Sequence, residues 1–122
     1  MSVSELLRWQ WEGYSRYHCS RANLLLHIVV VPLFLLSNVG LLVFLLQRSW
    51  LLAALMAAGM GVSLALQGTG HKQEPVPPVP FAGPANAVAR IFCEQWITFP
   101  RFVLSGGWRT ALRQAPGESG WM

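Results

Sequence analysis

This 122-residue chain contains three histidines, and all three stand where an ionisable side chain is costly. His18 and His27 flank the start of one long apolar run, and His71 follows the end of a second. Neutral imidazole is the commonest side-chain metal ligand near pH 7, and an ionisable group at a membrane border is expensive without partners. His71 sits within Gln67-Gly68-Thr69-Gly70-His71-Lys72-Gln73-Glu74-Pro75. If that stretch is helical, Gln67, His71 and Glu74 share a face at i, i+4 and i+7. Asn23 and His27 share a face in the same way. Two metal chemistries suit the set. His27, His71 and Glu74 imitate the two-histidine, one-carboxylate site of iron(II) oxygenases. Alternatively, all three histidines bind the ion and Glu74 accepts a hydrogen bond that fixes one imidazole tautomer. Both leave positions open for water, substrate or oxygen. Each residue also has a plainer reading: His18 as an interfacial histidine, His71 and Glu74 as a hydrogen-bonded pair at a helix end.

The elements that must position these residues follow from the apolar pattern. No formal charge occurs between Arg21 and Arg48, nor between Arg48 and His71. The first gap holds a helix of about 20 residues, the length that crosses a hydrocarbon core, and Leu24 to Leu46 is read as that span. Trp50 to Leu66 is a shorter second span. A buried helix of a soluble bundle would show a polar stripe, and these two do not. With 53% hydrophobic residues, the chain is too apolar for an ordinary soluble domain of this size. Gln47-Arg48-Ser49 makes a tight connection, so the spans return antiparallel. Pro32 should kink the first span. Asn38 and Gly40 are candidates for helix contact, and Ala53, Ala54, Ala57, Ala58, Gly59 and Gly61 form a small-residue face on the second. Two spans make a thin bundle, so self-association as a homodimer through that face is expected.

Residues 2 to 18 read as an amphipathic helix opened by a capping box, Ser2 with Glu5. Its apolar stripe is Val3, Leu7, Trp11, Tyr14 and His18. In one straight helix His18 and His27, nine residues apart, would lie on opposite sides and about 13 Å apart along the axis. A break over Ser20 to Asn23, with Ser20 or Asn23 as N-cap, lets them converge. The five prolines from Pro75 to Pro84 exclude a helix interior there. Pro84 suits the first residue of a further helix. In that helix Asn86, Arg90, Glu94, Thr98 and Arg101 form a polar stripe, and Val88, Ile91, Phe92, Trp96, Phe99 and Phe102 an apolar face. It lies on the membrane or joins the bundle as a third member. Gly106-Gly107 is expected to end the ordered part. The expected fold is an all-α integral membrane bundle over residues 1–113, a two-span antiparallel hairpin with flanking amphipathic helices, then a flexible tail at 114–122.

Composition excludes several functions. Two lone cysteines, Cys19 and Cys93, with no CxxC or CxxCH spacing, imply neither a disulfide framework nor a c-type haem. The net charge of +4 has no basic cluster interleaved with exposed aromatics, so it argues for topology and anionic lipid contact, not nucleic acid. No cleavable signal peptide is expected, because charged residues and tryptophans precede the first apolar run. Arg8, Arg16, Arg21, Lys72 and Arg90 lie on the side of the termini, against Arg48 in the loop. The positive-inside rule then places the termini and all three histidines in the cytosol.

Tyr17-His18, Asn23 with His27, and Gly70-His71 with Glu74 and a proline just after together resemble the signature of the Mpo1-like family. The resemblance covers roughly residues 14 to 104. It implies a membrane-bound iron(II)-dependent dioxygenase that uses O2 to shorten 2-hydroxy fatty acids by one carbon. It carries over His18, His27 and His71 as iron ligands. On this reading Glu74 acts in catalysis, Asn23 and Gln67 support the site, and Arg21 or Lys72 pairs with the substrate carboxylate. The compartment implied is the endoplasmic reticulum for a eukaryotic source and the inner membrane for a bacterial one. Two rivals fit the same residues: a haem b protein with His27 and His71 as axial ligands, and a small membrane protein without chemistry.

Overall fold

The computed structural model describes residues 1–116, and they form helices with no strand among them. Helix α1 spans Val3–Tyr17, α2 Arg21–Leu46 and α3 Trp50–His71. Helix α4, Pro84–Cys93, runs through a π-helical turn, Glu94–Thr98, into α5, Phe99–Leu104. Helix α6 covers Gly107–Gln114. The expected all-α bundle with a two-helix hairpin is therefore the architecture. Of the expected tail at 114–122, residues 117–122 lie outside the described residues.

Local chemistry sets the element ends. The Ser2 hydroxyl accepts from the Glu5 N–H at 3.2 Å, and the Glu5 carboxylate accepts from the Ser2 N–H at 3.1 Å, the expected capping box. Ser20 caps α2, so the chain breaks where the histidine geometry requires. α2 stays helical through Pro32. The hairpin turns at Arg48, whose φ of 58° is left-handed. α1 buries Tyr14 and His18 of the expected stripe, but Val3 is exposed and the buried face runs through Leu6 and Tyr14 instead. Gln10, one turn from each, accounts for the shift, because its amide donates to the Arg90 carbonyl at 2.8 Å and accepts from the Thr98 hydroxyl at 2.7 Å.

α2 and α3 form the closest pair, and small residues set their approach. A Cβ on Gly59 would stand 2.5 Å from Ser37 Oγ, and one on Gly40 2.6 Å from Met56 Sδ. Ala53 is buried, while Ala54, Ala57, Ala58 and Gly61 face outward. A Cβ on Gly70 would collide with Asn23 Oδ1 and lie 2.9 Å from Leu26 Cδ2. Gly70→Ala is thus expected to prise the end of α3 from the start of α2. The cost should be about 1–3 kcal/mol, read as a lower melting temperature by circular dichroism in detergent.

Both hairpin helices are long and apolar enough to cross a membrane, yet little of their most apolar stretches is buried inside the molecule, 22% for α2 and 17% for α3. Val29, Leu36, Leu42, Leu51 and Val62 stand exposed. The buried positions include polar ones. Ser63 Oγ donates to the Val30 carbonyl, and Gln67 donates to Ser63 Oγ at 3.1 Å. Gln67 and Gln95 exchange two amide hydrogen bonds of 2.9 Å each, joining α3 to the π turn. Asn38, as expected a contact residue, accepts from the Trp96 indole at 2.9 Å.

The α4–α5 helix is the third member of this bundle; it buries Phe99 and Phe102 as expected, but it also turns polar side chains inward and leaves part of its apolar face outside. Gln95 and Thr98 are buried, whereas Val88, Trp96, Ile97 and Leu104 are exposed. Pro100 explains the π turn. It has no N–H, and its ring displaces the carbonyl four residues back. The Phe99 N–H accordingly bonds to the Glu94 carbonyl, five residues earlier. Gly106-Gly107 does not end the order, contrary to expectation. Gly106, at φ 86°, turns the chain. Helix α6 then packs Ala111 against Tyr14, Leu24, Phe99 and Phe102, and the Trp108 indole donates to the Leu24 carbonyl at 2.9 Å.

Candidate metal centre

The three histidines meet. Ring centroids lie 5.0 Å apart for His18 and His27, 4.7 Å for His18 and His71, and 5.1 Å for His27 and His71. They come from the end of α1, the first turns of α2 and the last residue of α3. The break at Ser20 turns His18 and His27 toward each other. The antiparallel return brings His71 alongside.

Each ring is held at one nitrogen or left open at another. His18 Nδ1 lies 2.9 Å from the Tyr14 carbonyl and His27 Nδ1 lies 3.0 Å from the Asn23 carbonyl. A carbonyl oxygen only accepts, so both Nδ1 atoms carry the proton and both Nε2 atoms present a lone pair. Those Nε2 atoms are buried with no hydrogen-bond partner, as is His71 Nδ1. Each unmatched buried group costs about 1–3 kcal/mol, so three at one point call for a shared partner. The Tyr14 ring stacks on His18 at 3.8 Å and 9° and fixes its plane.

The carboxylate at this point is Glu94. One ligand atom from each of His18, His27, His71 and Glu94 lies within 4.8 Å of all the others. Donors on one ion at about 2.0–2.1 Å sit at most about 4.2 Å apart, so small side-chain motions close the set. Glu94 Oε2 accepts from the Tyr14 hydroxyl at 2.7 Å and stands 3.3 Å from His18 Nε2. Burial alone would push the Glu94 pKa up. The neighbouring His18 and His27, with the Tyr14 hydroxyl, outweigh that and hold the carboxyl down at about 2. Burial, with the adjacent Glu94 charge, pushes the Tyr14 phenol well up, so it remains a donor. Tyr14→Phe removes this donor, and metal affinity is expected to fall about tenfold, within the range for partners of metal ligands. Competition with a chromophoric chelator measures it.

Glu74, the carboxylate expected at the centre, is used elsewhere. Helix α3 ends at His71, and Pro75 disfavours helical backbone at the residue before it. Glu74 therefore leaves the α3 face and turns onto the start of α2. It accepts from the Cys19 N–H at 3.0 Å, the Ser20 N–H at 3.0 and 3.1 Å, and Asn23 Nδ2 at 2.7 Å. A carboxylate there complements the helix N-terminus. Asn23 is drawn into this cap, and its backbone carbonyl holds His27. Gln67 reaches the centre only through Gln95, next to Glu94. Lys72 is exposed and Arg21 half-buried, and neither belongs to the ligand group or makes an ion pair among the described residues. Glu94 is hidden in the sequence because it stands in the polar stripe of an amphipathic helix, where a solvated face is the ordinary expectation. Pro100 is the signal that could have found it, since a proline there shifts the helical register just upstream.

No family model, curated protein or solved structure matches the chain. Its own residues bound its chemistry. Three imidazoles and a carboxylate suit iron(II), zinc and their neighbours alike. Donor atoms of His18 and Glu94 lie within 4.8 Å of those of His27 and His71, in the space that a macrocycle held between that pair would fill, which disfavours a haem there.

Proposed function

We propose that this chain is a membrane-embedded iron(II) dioxygenase that shortens 2-hydroxy fatty acids by one carbon. One observation carries the reading: three imidazole nitrogens, buried without partners, converge with the Glu94 carboxylate. The resemblance in Tyr17-His18, Asn23, His27 and Gly70-His71 supplies the substrate class. The hairpin crosses the lipid and the centre lies at the end carrying the termini, on the cytosolic side by the positive-inside rule. An acyl substrate then reaches it from the bilayer with its head group at the border.

Iron(II), bound there with positions left open, would supply oxygen activation and a grip on the substrate's hydroxyl and carboxylate. The protein's residues do the rest. The Tyr14 and Asn23 carbonyls keep His18 and His27 in the tautomer that presents Nε2. Ionised Glu94 supplies one negative charge, and the Tyr14 hydroxyl orients it. The Gln67–Gln95 pair fixes the π turn that aims Glu94 inward. The balanced reaction converts a 2-hydroxy acid and O2 to the acid one carbon shorter, CO2 and water. Purified protein given iron(II) and 2-hydroxypalmitate in air is expected to consume oxygen and release the odd-chain product. No turnover at any chain length would sink the reading.

A further inference from the structure

A cleft of about 590 Å³ opens beside the centre, within the range of small-molecule sites. His18, His71 and Glu94 are among the residues that line it. It runs between α1, α3 from Leu64 to His71, the proline loop at Pro78–Phe81 and α4. It does not run between α2 and α3, whose glycine and serine contacts leave no slot. Its walls are mainly apolar, with Trp9, Leu64, Phe81 and Ile91 among them.

Two glycines line this cleft from two different helices, Gly13 in α1 and Gly68 in α3. A glycine inside a helix costs about 1 kcal/mol relative to alanine, so each invites a reason. Neither has a positive φ. A Cβ at Gly68 would meet nothing within 4 Å, so no helix contact demands it. At Gly13 the nearest atom to such a Cβ is the Tyr17 ring, 3.3 Å away, itself in the cleft wall. Both positions share the open space they keep. The unpartnered nitrogens of buried His18 and of His71 belong to residues lining the same space.

The cations divide their work. Arg90 holds the loop as a wall: it donates to the Pro80 carbonyl at 3.1 Å and the Val79 carbonyl at 2.8 Å, and lies over the Trp9 and Phe81 rings. Arg16, also in the lining, is exposed and makes no ion pair among the described residues; Glu12 shares that lining.

We infer that this cleft is the binding slot for a single-chain amphiphile with an anionic head, and that Gly13 and Gly68 set its width. The head lies at the centre, within reach of the Arg16 side of the lining, and the chain follows α3 past Gly68 toward Leu64. The inference rests on the proposed function for its ligand class but not on catalysis. The test is therefore anaerobic binding of radiolabelled 2-hydroxypalmitate to iron(II)-loaded full-length protein in detergent, with iron per chain measured alongside. Wild type is expected to bind saturably. Gly68→Phe and Gly13→Leu are expected to weaken binding at least about tenfold with iron unchanged, a loss of about 1.4 kcal/mol. Gly61→Phe, on the outward face of α3, should match wild type. Wild-type affinity in both cleft variants, or no binding by wild type, overturns the slot. If Gly68→Phe also loses iron, Gly13→Leu on α1 decides. Saturable binding blocked by these variants, without oxygen consumption in air, would leave the slot standing and remove the dioxygenase.

Discussion

Replacing His27 with alanine is expected to lower metal affinity by more than about 100-fold. Partners of metal ligands are already worth about 10–100-fold, and a direct ligand is worth more. His27 is the ligand least able to be replaced by water, because it is wholly buried. The change should not prevent folding. It leaves a cavity, but it also removes an unmatched nitrogen, and those two effects oppose one another. Alanine is also well tolerated in a helix as apolar as α2. The two states separate the contributions. Saturating metal should stabilise wild type, by about 2.7 kcal/mol at a hundredfold excess over Kd. At that concentration His27→Ala should gain no more than about 0.4 kcal/mol, so its melting temperature should move far less. An equal metal-induced shift in both proteins would show that His27 is not a ligand.

The second large effect is a contrast between two glutamates. Glu94→Gln is expected to cut metal affinity about 100-fold, at the upper end of the range for groups around a metal, since it removes a charged donor from within 4.8 Å of the imidazole nitrogens. Glu74→Gln is expected to leave metal affinity within about threefold and to cost about 1–3 kcal/mol of stability. Its amide would present N–H groups to the Cys19 and Ser20 N–H donors that the carboxylate now satisfies. Chelator competition and thermal melting on the same two samples read both quantities. The opposite pattern, metal lost in Glu74→Gln and kept in Glu94→Gln, would move the carboxylate of the centre back to the position beside His71.

These two residues also mark how far the sequence could be read. Features decided by neighbours along the chain were legible: the Ser2–Glu5 box, the break at Ser20, the turn at Arg48 and the two apolar helices. The three histidines were legible too, because the apolar runs force each to the same end of the hairpin. The carboxylate was not. Glu74 lies three residues from His71, and on a continued helix it would face the same way, but Pro75 ends that helix. Glu94 comes from an element far along the chain, and its direction depends on the π turn before Pro100. Helix α6 was missed for a related reason. Gly106 reads as a terminator, yet a left-handed residue also serves as a corner. Beyond that corner, Trp108 and Ala111 hold the chain through contacts with α2 and α1 that no local pattern reports.

The most direct test is the X-ray absorption spectrum of the iron(II)-loaded protein at the iron edge. Three imidazoles and at least one oxygen donor are expected around each iron, with the outer-shell scattering that imidazole rings give, and one imidazole fewer in a histidine variant that still holds iron. A spectrum with only oxygen and water ligands, unchanged when the histidines are replaced, would contradict the shared centre.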